Sequence, residues 1–373
     1  MIMPKRRIMR WALATVSAFV MAAQTGAAIA AAQAGQSISQ VVVLGDSFSD
    51  NGNLYAMTGN PGPPYWQGRI SNGPVWVEYL AEKLGVPLRD CAWAGATTGV
   101  GNEVDGGTVD ALGAFGLPGM TTACQGLLAD PVDPNALYVL WGGGNDCKAA
   151  LADPAEAVAV IGKAVTNLVT MVVTLQSLGA MRILVLNLQD FANSPGFLHE
   201  DAQTRYFVSQ GVLAFNQALK VNLPLGVHQV DAWALFEDVA SDPEEYGLDN
   251  VTDQLIMAPG ADPDRYFFWD GMHPATAGHA IIADALYRSV APTVVVGGHD
   301  SGVPNLLLST GSTISDLIER AATEAANHGD FVSAVAAITN ELKANGIISG
   351  KQKGAIESCA ARPRSPGDAV PKH

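Results

Sequence analysis

The strongest constraint on this chain is a recurring alternation. Short apolar, β-branched runs stand at Val41–Leu44, Leu88–Trp93, Leu137–Trp141, Ile183–Asn187 and Gly226–Asp231. Stretches of helical character fall between or after them at Val75–Leu84, Ala155–Leu178, about Thr204–Val221 and Ala277–Val290. Strands that alternate with helices pair in parallel, because a parallel neighbour is reached only by crossing over the sheet. The pattern predicts an α/β protein with a mainly parallel sheet. Charged residues make up 15% of the chain and hydrophobic ones 48%, against roughly 25% charged in an average protein. That composition argues against disorder and for a sizeable core. At 373 residues and about 150 per domain, the chain holds about two domains at most.

The N-terminus carries Lys5, Arg6, Arg7 and Arg10, an apolar run from Trp11 to about Ala23, and then small residues through Ala30 and Ala34. Charged, apolar and small-residue regions in that order read as a secretory signal peptide, with an uncleaved anchor as the alternative. The predicted location is exported, periplasmic or extracellular. No other uninterrupted apolar stretch reads as a membrane helix, so no integral membrane segment is expected in the mature chain. A formal charge of −15, more negative still once those basic residues are cleaved off, disfavours nucleic acid as a partner and simple adhesion to anionic lipid. Cys91, Cys124, Cys147 and Cys359 allow up to two disulfides in an oxidising compartment, or remain as buried thiols; none has a local His partner.

Beyond the regular pattern, Gly297–Gly302 breaks the periodicity, and amphipathic faces follow in Ile314, Leu317, Ile318 and Ala321 and in Phe331, Val335, Ile338 and Leu342. Two or three short helices are expected there. The chain thus divides into a signal peptide at 1–34, a main domain at 35–298, a helical extension at 299–359 and a flexible tail at 360–373.

In open α/β sheets ligands sit outside the carboxyl ends of the strands, so the loops after the strands carry the candidate chemistry. The first places Ser47 directly after a strand in Gly45-Asp46-Ser47, where a hydroxyl near backbone N–H groups is a candidate nucleophile or, more plainly, a helix cap. The last reads Asp270-Gly271-Met272-His273-Pro274. That spacing lets one turn set a carboxylate on one imidazole nitrogen while the other faces a nucleophile, although capping and packing explain the pair equally well. Two further loops, Cys91–Gly99 and Trp141–Asp146, bring Gly95 and Asn145. Glycine and a neutral amide are ingredients of an oxyanion hole, and also of ordinary turns. Asp46, Asp50, Asn51 and Asn53 suggest a calcium loop, but Phe48 falls where such a loop needs an oxygen ligand. They read as turn formers, with no metal and no cofactor implied. His279 reads as packing or exposed rather than as a rival base. Tyr65, Trp66, Trp141, Phe267 and Trp269 are pocket or core aromatics.

Taken together these blocks resemble the SGNH, or GDSL, hydrolase superfamily, in particular its secreted bacterial esterase and lipase branch. Gly45-Asp46-Ser47 matches the first block, Gly95 the second, Gly143-x-Asn145-Asp146 the third and Asp270-x-x-His273-Pro274 the last. Gly68–Trp76 is similar to that branch as well, and Phe48 departs from the leucine of the name-giving motif. The resemblance covers about Ser39 to Ser289. It implies a flavodoxin-like three-layer α/β/α sandwich with a five-stranded parallel sheet. It also implies Ser47 as nucleophile, His273 as general base, Asp270 as its orienting carboxylate, and an oxyanion hole from the N–H groups of Ser47 and Gly95 and the Asn145 side chain. The implied partner is an ester or lipid small molecule, with room for transient lipid contact. Short-chain esters, phospholipid acyl chains and acetylated carbohydrate all fit the chemistry. An acyltransferase on the same scaffold and a catalytically silent binding protein are the rival readings. The Ser-Asp-His order also suits an α/β-hydrolase, whose Gly-x-Ser-x-Gly elbow is missing here.

Overall fold

The computed structural model describes residues 38–123, 132–308, 310–325 and 327–362. The signal peptide read at 1–34, Cys124 and nearly all of the tail read from Ala360 lie outside them. The described chain forms two compact units, one running to Ala291 and the other from Pro292.

The first unit is built on a five-stranded sheet of β1 (Val41–Gly45), β2 (Leu88–Asp90), β3 (Leu137–Trp141), β4 (Arg182–Leu186) and β5 (His228–Val230). Their spatial order is β2-β1-β3-β4-β5, and every pairing is parallel. β1 and β3 are buried along their whole length, as strands covered on both faces must be, and this is why they read as unbroken apolar runs. From β1 the chain winds outward to β2, then restarts at β3 and winds the other way. The reversal leaves a crevice at the carboxyl ends of β1 and β3.

Helices cover both faces. α1 (Asn53–Thr58) follows the first loop, and α2 (Trp76–Leu84) crosses from β1 to β2. α2 starts cleanly because Glu78 reaches back to the Val75 N–H at 2.9 Å and ends at Gly85, whose φ of 66° suits a glycine. Trp76, Val77, Leu80 and Ala81 form its buried face. On the other side lie α3 (Gly144–Ala152), α4 (Ala157–Ser177) and α5 (Ala202–Asn222). α5 buries Val208, Val212, Phe215 and Leu219 at helical spacing and is capped by Asp201, which accepts from Gln203 and Thr204 N–H. After α6 (Ala232–Ser241), a parallel pair of β6 (Asn250–Gln254) and β7 (Tyr266–Phe268) carries the chain to α7 (Thr276–Val290), which packs beside α2. The predicted three-layer α/β/α sandwich is thus borne out.

Three sequence readings need correction. The regular second strand stops at Asp90, not Trp93: the Asp90 carboxylate accepts the N–H of Ala92 at 2.9 Å, while the N–H groups of Cys91 and Trp93 still bond the Val43 and Gly45 carbonyls of β1 at 2.9 and 3.2 Å. α4 has the length and composition of a membrane span, with a mean hydropathy of 1.8, contrary to the expectation that no such stretch exists. A core helix of a soluble protein passes the same test, and Leu168, Met171, Val172 and Leu175 of α4 are buried in the core of this unit. The Gly297-Gly298 break, finally, is a hairpin turn. Both glycines have positive φ, 55° and 75°, which a two-residue turn needs to match strand twist, and they join β8 (Thr293–Val296) to antiparallel β9 (His299–Pro304).

The second unit consists of this hairpin with α8 (Ile314–Glu324), α9 (His328–Ala344) and α10 (Gly350–Ala360). It has a hydrophobic cluster of its own around Val294, Val303, Ile318, Val335, Leu342 and Ile356.

Candidate active site

At the end of β1 the chain has no room for a side chain. A Cβ on Gly45 would stand 2.8 Å from the Trp141 carbonyl oxygen and 2.9 Å from Ser49 Oγ. The chain turns there, with the Ser49 and Asp50 N–H groups both bonding the Asp46 carbonyl at 3.0 Å, and Ser47 stands on the bend. Its N–H has no hydrogen-bond partner among the described residues.

The second loop is tied to the first by Asp50. This fully buried carboxylate accepts from Gly52, Asn53 and Leu54 N–H and, across the loops, from Ala94 N–H at 2.7 Å. The next residue, Gly95, lies at φ 80°, and a Cβ there would meet Asn102 Oδ1 at 2.4 Å and Val104 Cγ2 at 2.5 Å. Only glycine fits, and its N–H also lacks a partner among the described residues. The third loop turns at Gly143 (φ 114°) into α3. Asn145 there gives one amide hydrogen to the Ala96 carbonyl at 2.8 Å, which leaves its other N–H for a ligand. Asp146 accepts from Thr98 N–H and hydroxyl, both at 2.9 Å. Three loops separate in sequence are therefore joined by buried hydrogen bonds, and the donors of Ser47, Gly95 and Asn145 ride on them.

The last loop supplies an imidazole and a carboxylate. Trp269 N–H bonds the His273 carbonyl at 2.8 Å, and Ala275 N–H bonds the Phe267 carbonyl at 2.7 Å, closing a tight turn. Within it Asp270 Oδ1 accepts from Met272 N–H (2.9 Å) and His273 N–H (2.8 Å), and His273 Nδ1 stands 2.9 Å from Oδ1 and 3.0 Å from Oδ2. The opposite nitrogen, Nε2, lies 2.8 Å from Ser47 Oγ. Ser47, His273 and Asp270 thus form one hydrogen-bonded row assembled from both ends of the unit. Phe48, the departure from the family leucine, places its ring 5.3 Å from the His273 imidazole and 5.2 Å from Trp141, packing between them.

The electrostatics divide the acids. Burial pushes Asp270 up, but the side-chain hydrogen bond and positive charge of His273 and the backbone donors outweigh it, bringing the carboxyl to about 2. It is therefore ionised at pH values well above 2. Asp46 and Asp146 move the other way. Burial raises Asp46 to about 7 against one backbone hydrogen bond, and Asp146 to about 6 against the Thr98 donors. His279 is fully buried and both its ring nitrogens lack partners among the described residues. Burial, followed by the nearby His273, pulls it down to about 3, so it is neutral packing.

Sequence reasoning missed a clamp on the last loop. Tyr65 hydroxyl donates to Asp270 Oδ2 at 3.1 Å, Ser71 Oγ to the Pro274 carbonyl at 2.9 Å, and Thr276 N–H to Asn72 Oδ1 at 2.8 Å. Tyr79 and Thr276 share a hydroxyl contact of 2.7 Å. The resemblance of Gly68–Trp76 to the esterase branch pointed at this segment without saying what it does. Cys147 and Cys359 are buried, unpaired thiols, which rules out two disulfides, and burial raises the Cys147 thiol. Among the described residues no group of three His, Cys, Asp or Glu is placed to hold a metal.

A family model described as GDSL-like lipase/acylhydrolase matches residues 41–286. The thermolabile hemolysin of Vibrio parahaemolyticus is 28% identical over 290 residues, which cover 68% of this chain and 64% of that protein. The phosphatidylcholine-sterol acyltransferase of Aeromonas hydrophila is 29% identical over 233 residues, 60% of this chain and 67% of that one. The match therefore spans just under two thirds of the hemolysin's length. An acetylxylan esterase from Geobacillus stearothermophilus superposes with a TM-score of 0.39 at 16% identity, over 68% of this chain and 94% of the other.

Proposed function

The chain belongs to the GDSL-like lipase/acylhydrolase family, and from that premise we propose that it hydrolyses carboxylic esters through an acyl-enzyme on Ser47. The observation that carries the reading is the row Ser47 Oγ to His273 Nε2 at 2.8 Å and His273 Nδ1 to Asp270 at 2.9 Å, built across 226 residues of sequence. Ser47 Oγ attacks the ester carbonyl while His273 Nε2 takes its proton. Asp270 holds Nδ1–H, fixes the tautomer and stabilises the imidazolium. The carbonyl oxygen becomes an oxyanion among the N–H groups of Ser47 and Gly95 and the remaining amide hydrogen of Asn145. His273 then protonates the leaving alcohol. Water, deprotonated by the same imidazole, releases the acid and restores the serine.

A fluorophosphonate label should modify Ser47, and Ser47→Ala should abolish turnover of p-nitrophenyl esters with the fold intact. Full activity in that variant overturns the assignment. A series from acetate to palmitate, with a phospholipid alongside, sorts short esters from lipid. We read the substrate as an ester or lipid small molecule and the chain as an exported protein, with residues 1–34 as its leader. The Aeromonas relative favours one second reading, in which an alcohol in place of water takes the acyl group. Products analysed after incubation with phospholipid and a sterol or glycerol distinguish the two: free fatty acid alone for hydrolysis, a new ester for transfer.

A further inference from the structure

We propose that Tyr65 is a positioning residue for this acyl transfer, its phenol holding the Asp270 carboxylate in the plane that the His273 imidazole needs. The proposal rests on the esterase reading above and adds a component to it.

The two oxygens of Asp270 are unequally held. Oδ1 accepts from two backbone N–H groups as well as from His273 Nδ1. Oδ2 has only the Tyr65 hydroxyl at 3.1 Å, beside its share of the same Nδ1 at 3.0 Å. Without the phenol Oδ2 keeps only its shared contact with His273 Nδ1, and the carboxylate can turn about the Oδ1 anchor.

Tyr65 is itself firmly placed. Its ring meets Trp269, the residue before Asp270, edge-on at 84° with centroids 6.0 Å apart. Its neighbour Trp66 lies under the Arg69 guanidinium at 4.9 Å, and Arg69 makes a two-pronged contact with Glu78 in the first turn of α2, at 2.6 and 3.3 Å. A line of contacts thus runs from a core helix through Glu78, Arg69 and Trp66 to the phenol. Burial and the Asp270 charge push the Tyr65 hydroxyl up to about 12, so it remains a donor at every working pH. Asp46 and His279 also interact electrostatically with His273, and among the described residues neither bonds Asp270.

Tyr65→Phe keeps the ring and its packing on Trp269 and removes only the hydroxyl. Ester turnover, KM and the pH profile are measured for wild type, Tyr65→Phe, Asp270→Asn and the double variant, with thermal unfolding as the check on folding. Loss of one charge-assisted hydrogen bond predicts a kcat lowered about tenfold with KM within about twofold. With the phenol gone, the displaced carboxylate holds the imidazolium less well, so the acid limb of the profile moves to lower pH. In the Asp270→Asn background the second substitution should cost less than about twofold. An unchanged kcat, a loss with an unmoved acid limb, or the same tenfold loss with Asp270 already replaced each overturns the proposal. Ser47→Ala run in parallel separates the two claims. If it stays active the esterase reading itself fails, whereas if it is inactive while Tyr65→Phe is normal only the role of Tyr65 fails.

Discussion

Gly95→Ala tests the oxyanion geometry through a single methyl group. At φ 80° an alanine pays about 1–2 kcal/mol for the left-handed backbone. Its Cβ would stand 2.4 Å from Asn102 Oδ1 and 2.5 Å from Val104 Cγ2, so Asn102 must give way. Asn102 is fully buried and bonds the Ala94 carbonyl at 2.9 Å, the Pro118 carbonyl at 3.3 Å and the Val104 N–H at 2.9 Å. Weakening one or two of these adds about 1–3 kcal/mol, for a total of roughly 2–5 kcal/mol, a large share of a typical domain's 5–15. The same shift moves the Gly95 N–H off the proposed oxyanion position, and a lost donor costs about 100- to 1000-fold in turnover. Gly106→Ala is the matched control. Its φ is 81° but nothing lies within 4 Å of the new Cβ, so it should lose about 1–2 kcal/mol and no activity. Urea unfolding and kcat on p-nitrophenyl esters read both effects. If Gly95→Ala proves no worse than the Gly106 control in stability and rate, the steric argument and the donor role both fall.

Two further outcomes follow from the buried acids. Between about pH 4 and 7 the folded chain keeps a proton on Asp46 that the unfolded chain has lost, because burial raises that carboxyl from 3.8 to about 7. Stability therefore falls as pH rises through that window, and Asp146, raised to about 6, acts in the same sense. Asp46→Asn should gain on wild type by on the order of a few kcal/mol between pH 4 and 8 in equilibrium unfolding; a constant difference across that range contradicts the assignment. Asp50→Asn turns a donor toward two of the N–H groups that the carboxylate now satisfies. It should cost about 2–4 kcal/mol and lower kcat through the Ala94 to Gly95 backbone, and wild-type kinetics in that variant would show that the loops do not need this tie.

The sheet could be read from the chain because β1 and β3 are buried on both faces, and burial of that kind leaves a continuous apolar run. The limits of β2 could not, since the regular strand ends at Asp90 while two N–H groups of the apolar residues beyond it still bond β1. Gly297-Gly298 looked like an interruption because a turn with two positive φ values and a disordered break have the same composition. Asp270 and His273 were readable as a pair because their contact is local. The contact between Ser47 and His273 was reached only through the resemblance of four blocks, for a hydrogen bond across 226 residues leaves no periodicity behind. Tyr65, Ser71 and Asn72 were passed over as chemistry for the same reason: their partners lie some 200 residues away.

The joining of the first three loops limits how such a protein can be re-engineered. Asp50 grips the amide of Ala94, Asn145 the carbonyl of Ala96, and Asp146 both groups of Thr98. A chimera that imports the segment around Gly95 from a relative inherits the wrong attachment points unless the acids and amide that hold it travel along. Specificity is better altered in stretches outside this lattice, where a transplanted sequence has no such debts to settle.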